Sequence, residues 1–223
     1  MQVFLAAFRT QLRLTARAFS TWGFLALGVF LTAWGTLLDV LAVGVDPRRP
    51  SAIAHATGVM GGILLGAWIG SGTPPRHSLR EARDLWAALP AISWAIPAGR
   101  AAVAATLGTF GSILCMSYAL VLSNNRIEVL GLLGGGGAAL LAAAWSGWLA
   151  PRIGSLAAIV GVIALAGLTF APVATWIRPF LPSALASVPI RGVSLLACLL
   201  GSVGLLALTP LRARADVKAG LER

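Results

Sequence analysis

Two histidines, two cysteines and seven carboxylates are all that this 223-residue chain offers for acid–base, thiol or metal chemistry. His55 and His77 stand in neither a metal-ligand nor a triad spacing, so neither a metal centre nor a hydrolytic site is expected. Cys115 and Cys198 fall inside apolar runs, where a thiol serves as a small packing group, and as an isolated pair they form no metal motif. The run Gly134 to Gly137 suggests a phosphate loop at first sight. No Lys-Ser or Lys-Thr follows it, and the only lysine is Lys218, so a Walker A site is absent and nucleotide hydrolysis is not expected in this chain. Asp39, His55 and Glu128 fall near the ends of apolar runs, where solvated or capping roles are commoner than the ion-coupling roles of secondary transporters. The expectation is a protein that is not an enzyme and holds no metal or cofactor of its own.

The charged side chains gather instead in "RHSLREARDLWAALP", residues 76–90, with five of them between Arg76 and Asp84. Pro74 and Pro75 keep the preceding chain extended, Ser78 stands three residues before Glu81 in the spacing of a capping box, and Pro90 supplies a stop, so a short helix is predicted over 79–89. Its faces differ. Ala82, Leu85, Trp86 and Leu89 make an apolar stripe, whereas Arg80, Glu81, Arg83 and Asp84 point elsewhere. Positive charge alone would satisfy membrane topology; a cap, an apolar face and both charge signs suit a protein partner, where charges set register and partner choice. A solvated amphipathic helix lying on the bilayer is the plainer alternative.

The elements around this helix are apolar. Only 11% of residues are charged, against roughly 25% in an ordinary soluble domain, and the mean hydropathy is +0.87. Six runs are long enough to cross a hydrocarbon core of ~30 Å, at 19–43, 52–71, 98–122, 128–149, 153–174 and 192–210. The expected fold is therefore an all-α polytopic membrane protein, one transmembrane domain of six spans with an N-terminal interfacial helix (1–18) and a short helix in the cytoplasmic loop 72–97. Tight connections are expected near 123–127 and 150–152, and a tail over 211–223. The first run exceeds a signal-peptide core and has no convincing cleavage site, so it reads as a retained span.

With the N-terminus inside, the cytoplasmic set is Arg9, Arg13, Arg17, Arg76, Arg80, Arg83, Arg100, Arg152, Arg212, Arg214, Lys218 and Arg223, and the outer set is Arg48, Arg49, Arg126, Arg178 and Arg191. Twelve against five favours N-in and C-in. The net charge of +10 is explained by topology and anionic lipid, and nucleic acid is not an expected partner, because apolar spans supply no soluble binding face.

Smaller signals refine the picture. Arg9, Arg13 and Arg17 recur four apart on one side of the first helix, with Phe4, Phe8, Leu12 and Phe19 on another, the pattern of a helix lying in the interface with its arginines at lipid phosphate. The alternative is that 1–18 prolongs the first span. Gly58, Gly62 and Gly66 leave one stripe of the second span without side chains, so another helix can approach closely. In "APVATWIRPFLPSALASVP" the prolines, among them Pro182, interleave with Trp176 and Phe180; this outer segment, 172–191, either dips into the outer leaflet or lies at the interface anchored by Trp176.

An amphipathic N-terminal helix, six spans, Arg80-Glu81 followed by "LWAALP" ending at Pro90, a basic Arg100 opening the third span, and a Pro-rich outer segment before the last span together resemble the membrane subunit of an ABC-2 type exporter. The resemblance covers nearly the whole chain in layout, through short motifs. It implies that the helix bearing Ser78, Arg80, Glu81, Arg83, Asp84, Leu85, Trp86 and Leu89 is a coupling helix seated on a cytosolic ABC ATPase, with ATP and Mg in that partner, and that a second membrane subunit, identical or not, completes the transporter in a bacterial cytoplasmic (inner) membrane. In size and span order the chain is also similar to the heme exporter B subunit of cytochrome c maturation, with "APRIGSLAAIV" at 150–160 resembling the basic-Gly turn before that family's fifth span. A channel, a secondary transporter or a membrane scaffold without an ATPase partner remains the alternative. Spans without buried charge suit a lipid, a hydrophobic peptide or a drug-like cargo.

Overall fold

A computed structural model describes residues 2–44, 51–72, 95–123, 129–167, 181, 185 and 192–221. Among them are seven α-helices and no strand: α1 (Gln2–Arg17), α2 (Phe19–Val43), α3 (Ala52–Gly70), α4 (Ala95–Ser123), α5 (Val129–Ile153), α6 (Ser155–Gly167) and α7 (Gly192–Leu221). Four of them, α2, α3, α4 and α5 from Gly131, are long and apolar enough to cross a membrane, and Ser155–Gly167 and Val193–Leu208 are shorter apolar stretches. This is the make-up of a helical membrane protein.

The helix boundaries follow local chemistry. Ala18 is extended (φ −76°, ψ 121°) and separates α1 from α2, so residues 1–18 do not prolong the first span. Two side chains of α2 occupy carbonyls at the end of α1: Thr21 Oγ1 donates to Thr15 O at 2.7 Å and Trp22 Nε1 to Ala16 O at 2.7 Å. Carbonyls that a helix end leaves open are thereby satisfied, and the joint is fixed. Ser51 caps α3, its hydroxyl accepting from Ala54 N at 3.2 Å.

One boundary differs from the sequence expectation. Residues 150–152 are not a connection, because α5 runs through Pro151 to Ile153, and the turn into α6 is the single residue Gly154, at φ +86°. Gly154 N donates to Ala150 O at 3.0 Å, closing one helix while its own carbonyl accepts from Ala158 N and opens the next. The segment expected as a tail is helical as far as it is described: α7 continues to Leu221 through residues 211–221, mostly Ala, Arg and Leu, all good helix formers.

The centre is the trio α3, α4 and α5. α2 lies against α3 and α4, α1 against α4, α6 against α5 and α3, and α7 against α5. One buried cluster joins Val59, Ile63, Leu141, Val162, Leu185 and Cys198, while a second joins Leu65, Ile69, Val103, Ala139 and Ala143 and carries Phe8, Leu12 and Phe24 on its border. Cross-contacts define two ends of the bundle. At one, Gly72 meets Arg100, Ser155 Oγ donates to Ser71 O at 3.0 Å, and Gly99 meets Ala7 and Phe8. At the other, Gly35 meets Ile53, and His55 meets both Gly131 and Leu185.

Candidate functional site

Gly58, Gly62 and Gly66 face the backbones of two neighbouring helices. A Cβ added to Gly62 would collide with the Gly135 carbonyl, one added to Gly66 with the Ala139 carbonyl, and one added to Gly58 would stand 2.9 Å from Ser112 Oγ. Gly70 continues the row against Ala143 and Ser146, and Gly108 of α4 meets Gly135 and Ala139 from the other side. The run Gly134 to Gly137 thus has a packing role: Gly135 sits where α3, α4 and α5 converge, with its N–H donating to Ser112 Oγ at 3.1 Å. Without a hydrophobic drive between helices in lipid, close backbone approach of this kind is what holds spans together.

Behind this seam, between α2, α3 and α4, is a cavity of about 20 Å³ walled by Phe24, Leu25, Gly28, Gly61, Gly108 and Gly111 among others. That is room for one water and for no cargo. Close by, two polar side chains bind α2 to α3. The Thr32 and Thr57 hydroxyls are 2.5 Å apart, one donating to the other, and each also lies within hydrogen-bonding distance of a carbonyl of its own helix, Gly28 O for Thr32 and Ile53 O for Thr57.

His55 overturns its sequence reading. It is not a solvated or capping group at a span end but is 2% exposed, with Nε2 2.6 Å from Leu185 O. Leu185 is itself fully buried beside Cys198 and Val162, so the imidazole ties the start of α3 to the chain between α6 and α7 across the core. The sequence held only a weak sign of this: a histidine one turn inside an apolar helix.

α1, expected to lie in the membrane interface, packs partly on protein. Arg9, Arg13 and Arg17 are exposed, as the spacing requires, yet Phe8 and Leu12 rest on the protein core and Gln11 and Thr15 are buried. Phe4 stacks on Phe8 with ring centroids 6.5 Å apart. Near the same end, Arg152 lies 3.4 Å above the Trp148 ring and donates to Trp148 O at 2.9 Å, an arrangement that fixes its guanidinium at the close of α5.

The residues expected to form a coupling helix, Ser78, Arg80, Glu81, Arg83, Asp84, Leu85, Trp86 and Leu89, those expected in an outer segment, Trp176, Phe180 and Pro182, and His77 lie outside the described residues. Among the described residues, no three of His, Cys, Asp and Glu come close enough to hold a metal ion. What the described residues do offer is a seam of small side chains between α3, α4 and α5 and the exposed Arg9, Arg13 and Arg17 of α1. Compared with protein-family models, with curated proteins and with solved structures, the chain matches none of them.

Proposed function

We propose that this chain is the membrane subunit of an ATP-driven exporter of the ABC-2 type. In this reading it has six spans with both termini in the cytoplasm of a bacterium, it forms the translocation path with a second membrane subunit, and cytosolic ATPase subunits supply ATP and Mg. The observation that carries the reading is the position of the two flanks of the charged segment "RHSLREARDLWAALP". The chain leaves α3 at Gly72 and re-enters at Ala95, and these flanks share one end of the bundle with α1, through Gly72 against Arg100 and Gly99 against Ala7 and Phe8. A push on that segment is delivered directly to α3 and α4, the helices whose small residues pack on α5. Helices in contact through glycine and alanine shift past one another with little side-chain repacking, the small sliding motion by which packed helices respond to a distant closure.

The test is charge reversal. Glu81→Arg combined with Arg83→Glu, made in the complex purified with its ATPase, is expected to lower assembly and transport-coupled ATP hydrolysis at least tenfold. Intact assembly and hydrolysis would remove the docking assignment. Mild-detergent purification followed by mass spectrometry of the parent chain supplies the companion measurement, a nucleotide-binding protein bound to it.

A further inference from the structure

The outer side of α2 carries a groove that the seam does not explain. Trp22, Leu25, Ala26, Val29, Phe30 and Ala33 form one wall, Leu114 and Tyr118 of α4 the other, and the space between them is about 560 Å³, open to the surroundings and almost wholly apolar. From Trp22 to Ala33 the wall rises about 16 Å at 1.5 Å per residue. That is close to half of a ~30 Å hydrocarbon core, the depth of one leaflet. Its lower end begins one turn into α2, where the Trp22 indole is held on the last turn of α1, next in the chain to Arg17. Arg17 follows Ala16 directly and Arg13 precedes Arg17 by one turn of α1, both exposed, and the carbonyls of Thr15 and Ala16 that would otherwise repel an anion are covered by Thr21 and Trp22. Among the residues whose side chains are described, the only carboxylate is Asp39, 17 residues further along α2 than Trp22 and about 25 Å away along its axis.

From this geometry we infer that the α2–α4 groove is a binding site for one anionic phospholipid, an acyl chain lying between Trp22 and Ala33 and the phosphate held by Arg13 and Arg17. The length of the groove selects a chain of one leaflet, and the charge at its mouth selects the headgroup. The site is independent of the exporter reading, since it needs neither the charged loop nor an ATPase.

The full chain, purified in mild detergent, is offered equal amounts of dioleoyl phosphatidylglycerol and dioleoyl phosphatidylcholine and examined by native mass spectrometry. One phosphatidylglycerol is expected to be retained preferentially. Ala26→Trp fills the groove from an exposed position, and it and Ala33→Trp should each reduce the retained phosphatidylglycerol at least fivefold. Leu41→Trp, on the same helix beyond the groove, should leave it unchanged. Arg17→Gln, and Arg13→Gln separately, should lower the preference over phosphatidylcholine roughly fivefold each, the factor that corresponds to about 1 kcal/mol per basic residue at an anionic surface. Equal retention of the two lipids by the parent chain overturns the site. So does a preference that responds to the arginines but not to Ala26→Trp and Ala33→Trp, which would place the lipid in the general annulus, or a loss in Leu41→Trp as large as in Ala26→Trp.

Discussion

α2 and α5 answer the same membrane in opposite ways. The most apolar stretch of α2 has a mean hydropathy of 1.9 and only 11% of it is buried in the protein, whereas that of α5 has a hydropathy of 1.3 and is 61% buried. In water this ordering would be reversed, because burial follows apolar area. In lipid, exposed Phe30, Trp34, Leu38 and Leu41 cost nothing, so hydropathy ceases to predict position and side-chain size takes over. Gly135, Ala138, Ala139 and Ala142 put α5 at the centre because they let α3 and α4 approach its backbone, while the bulky side chains of α2 keep it at the rim.

The contrast is broken most sharply at the seam. Gly62→Leu drives a side chain into the Gly135 backbone and should cost at least about 3 kcal/mol, read as a lowered thermal midpoint in detergent or as loss of the folded protein. An unchanged midpoint would contradict the close approach of α3 and α5. His55→Leu, about two turns earlier on α3, removes the partner of the Leu185 carbonyl and is expected to cost about 1–3 kcal/mol, since the carbonyl stays buried. A variant as stable as the parent would show that the imidazole does not pin Leu185. Thr32→Val tests the thinner attachment of α2. Deleting one hydroxyl of the Thr32–Thr57 pair should cost about 0.6 kcal/mol, the average for polar contacts between spans. A loss larger than that of His55→Leu would mean that α2 is held as firmly as the core. At the bottom of the scale, Leu41→Ala on the lipid face should stay within about 0.5 kcal/mol of the parent.

Legibility in the sequence varied with the kind of signal. The first span was read to the residue, 19–43, and the starts and ends of the next three fell within a few positions of α3, α4 and α5, because apolar run length is a property of the chain alone. The Gly58–Gly62–Gly66 stripe was visible as a surface able to receive a helix, but nothing in it named Gly135 and Ala139 as what it receives. The connection expected at 150–152 was misread because Pro151 is tolerated inside α5, whose actual stop is the positive φ of Gly154. At α1 the arginine face was legible from its spacing. That Phe8 and Leu12 meet α4 and its surroundings rather than acyl chains was not, since an apolar side chain pairs as well with protein as with lipid.

His55 marks the limit of that method most clearly. A histidine near a span end reads as solvated, yet its partner stands 130 residues away in the chain. What the sequence by itself determined is the class, a helical membrane protein, and the places of its four long apolar helices, because transfer into hydrocarbon depends on the composition of each segment separately. The tertiary structure alone decided which spans form the centre, which glycine meets which carbonyl and where the imidazole bonds. Those outcomes depend on the distance between backbones, and no single segment contains it.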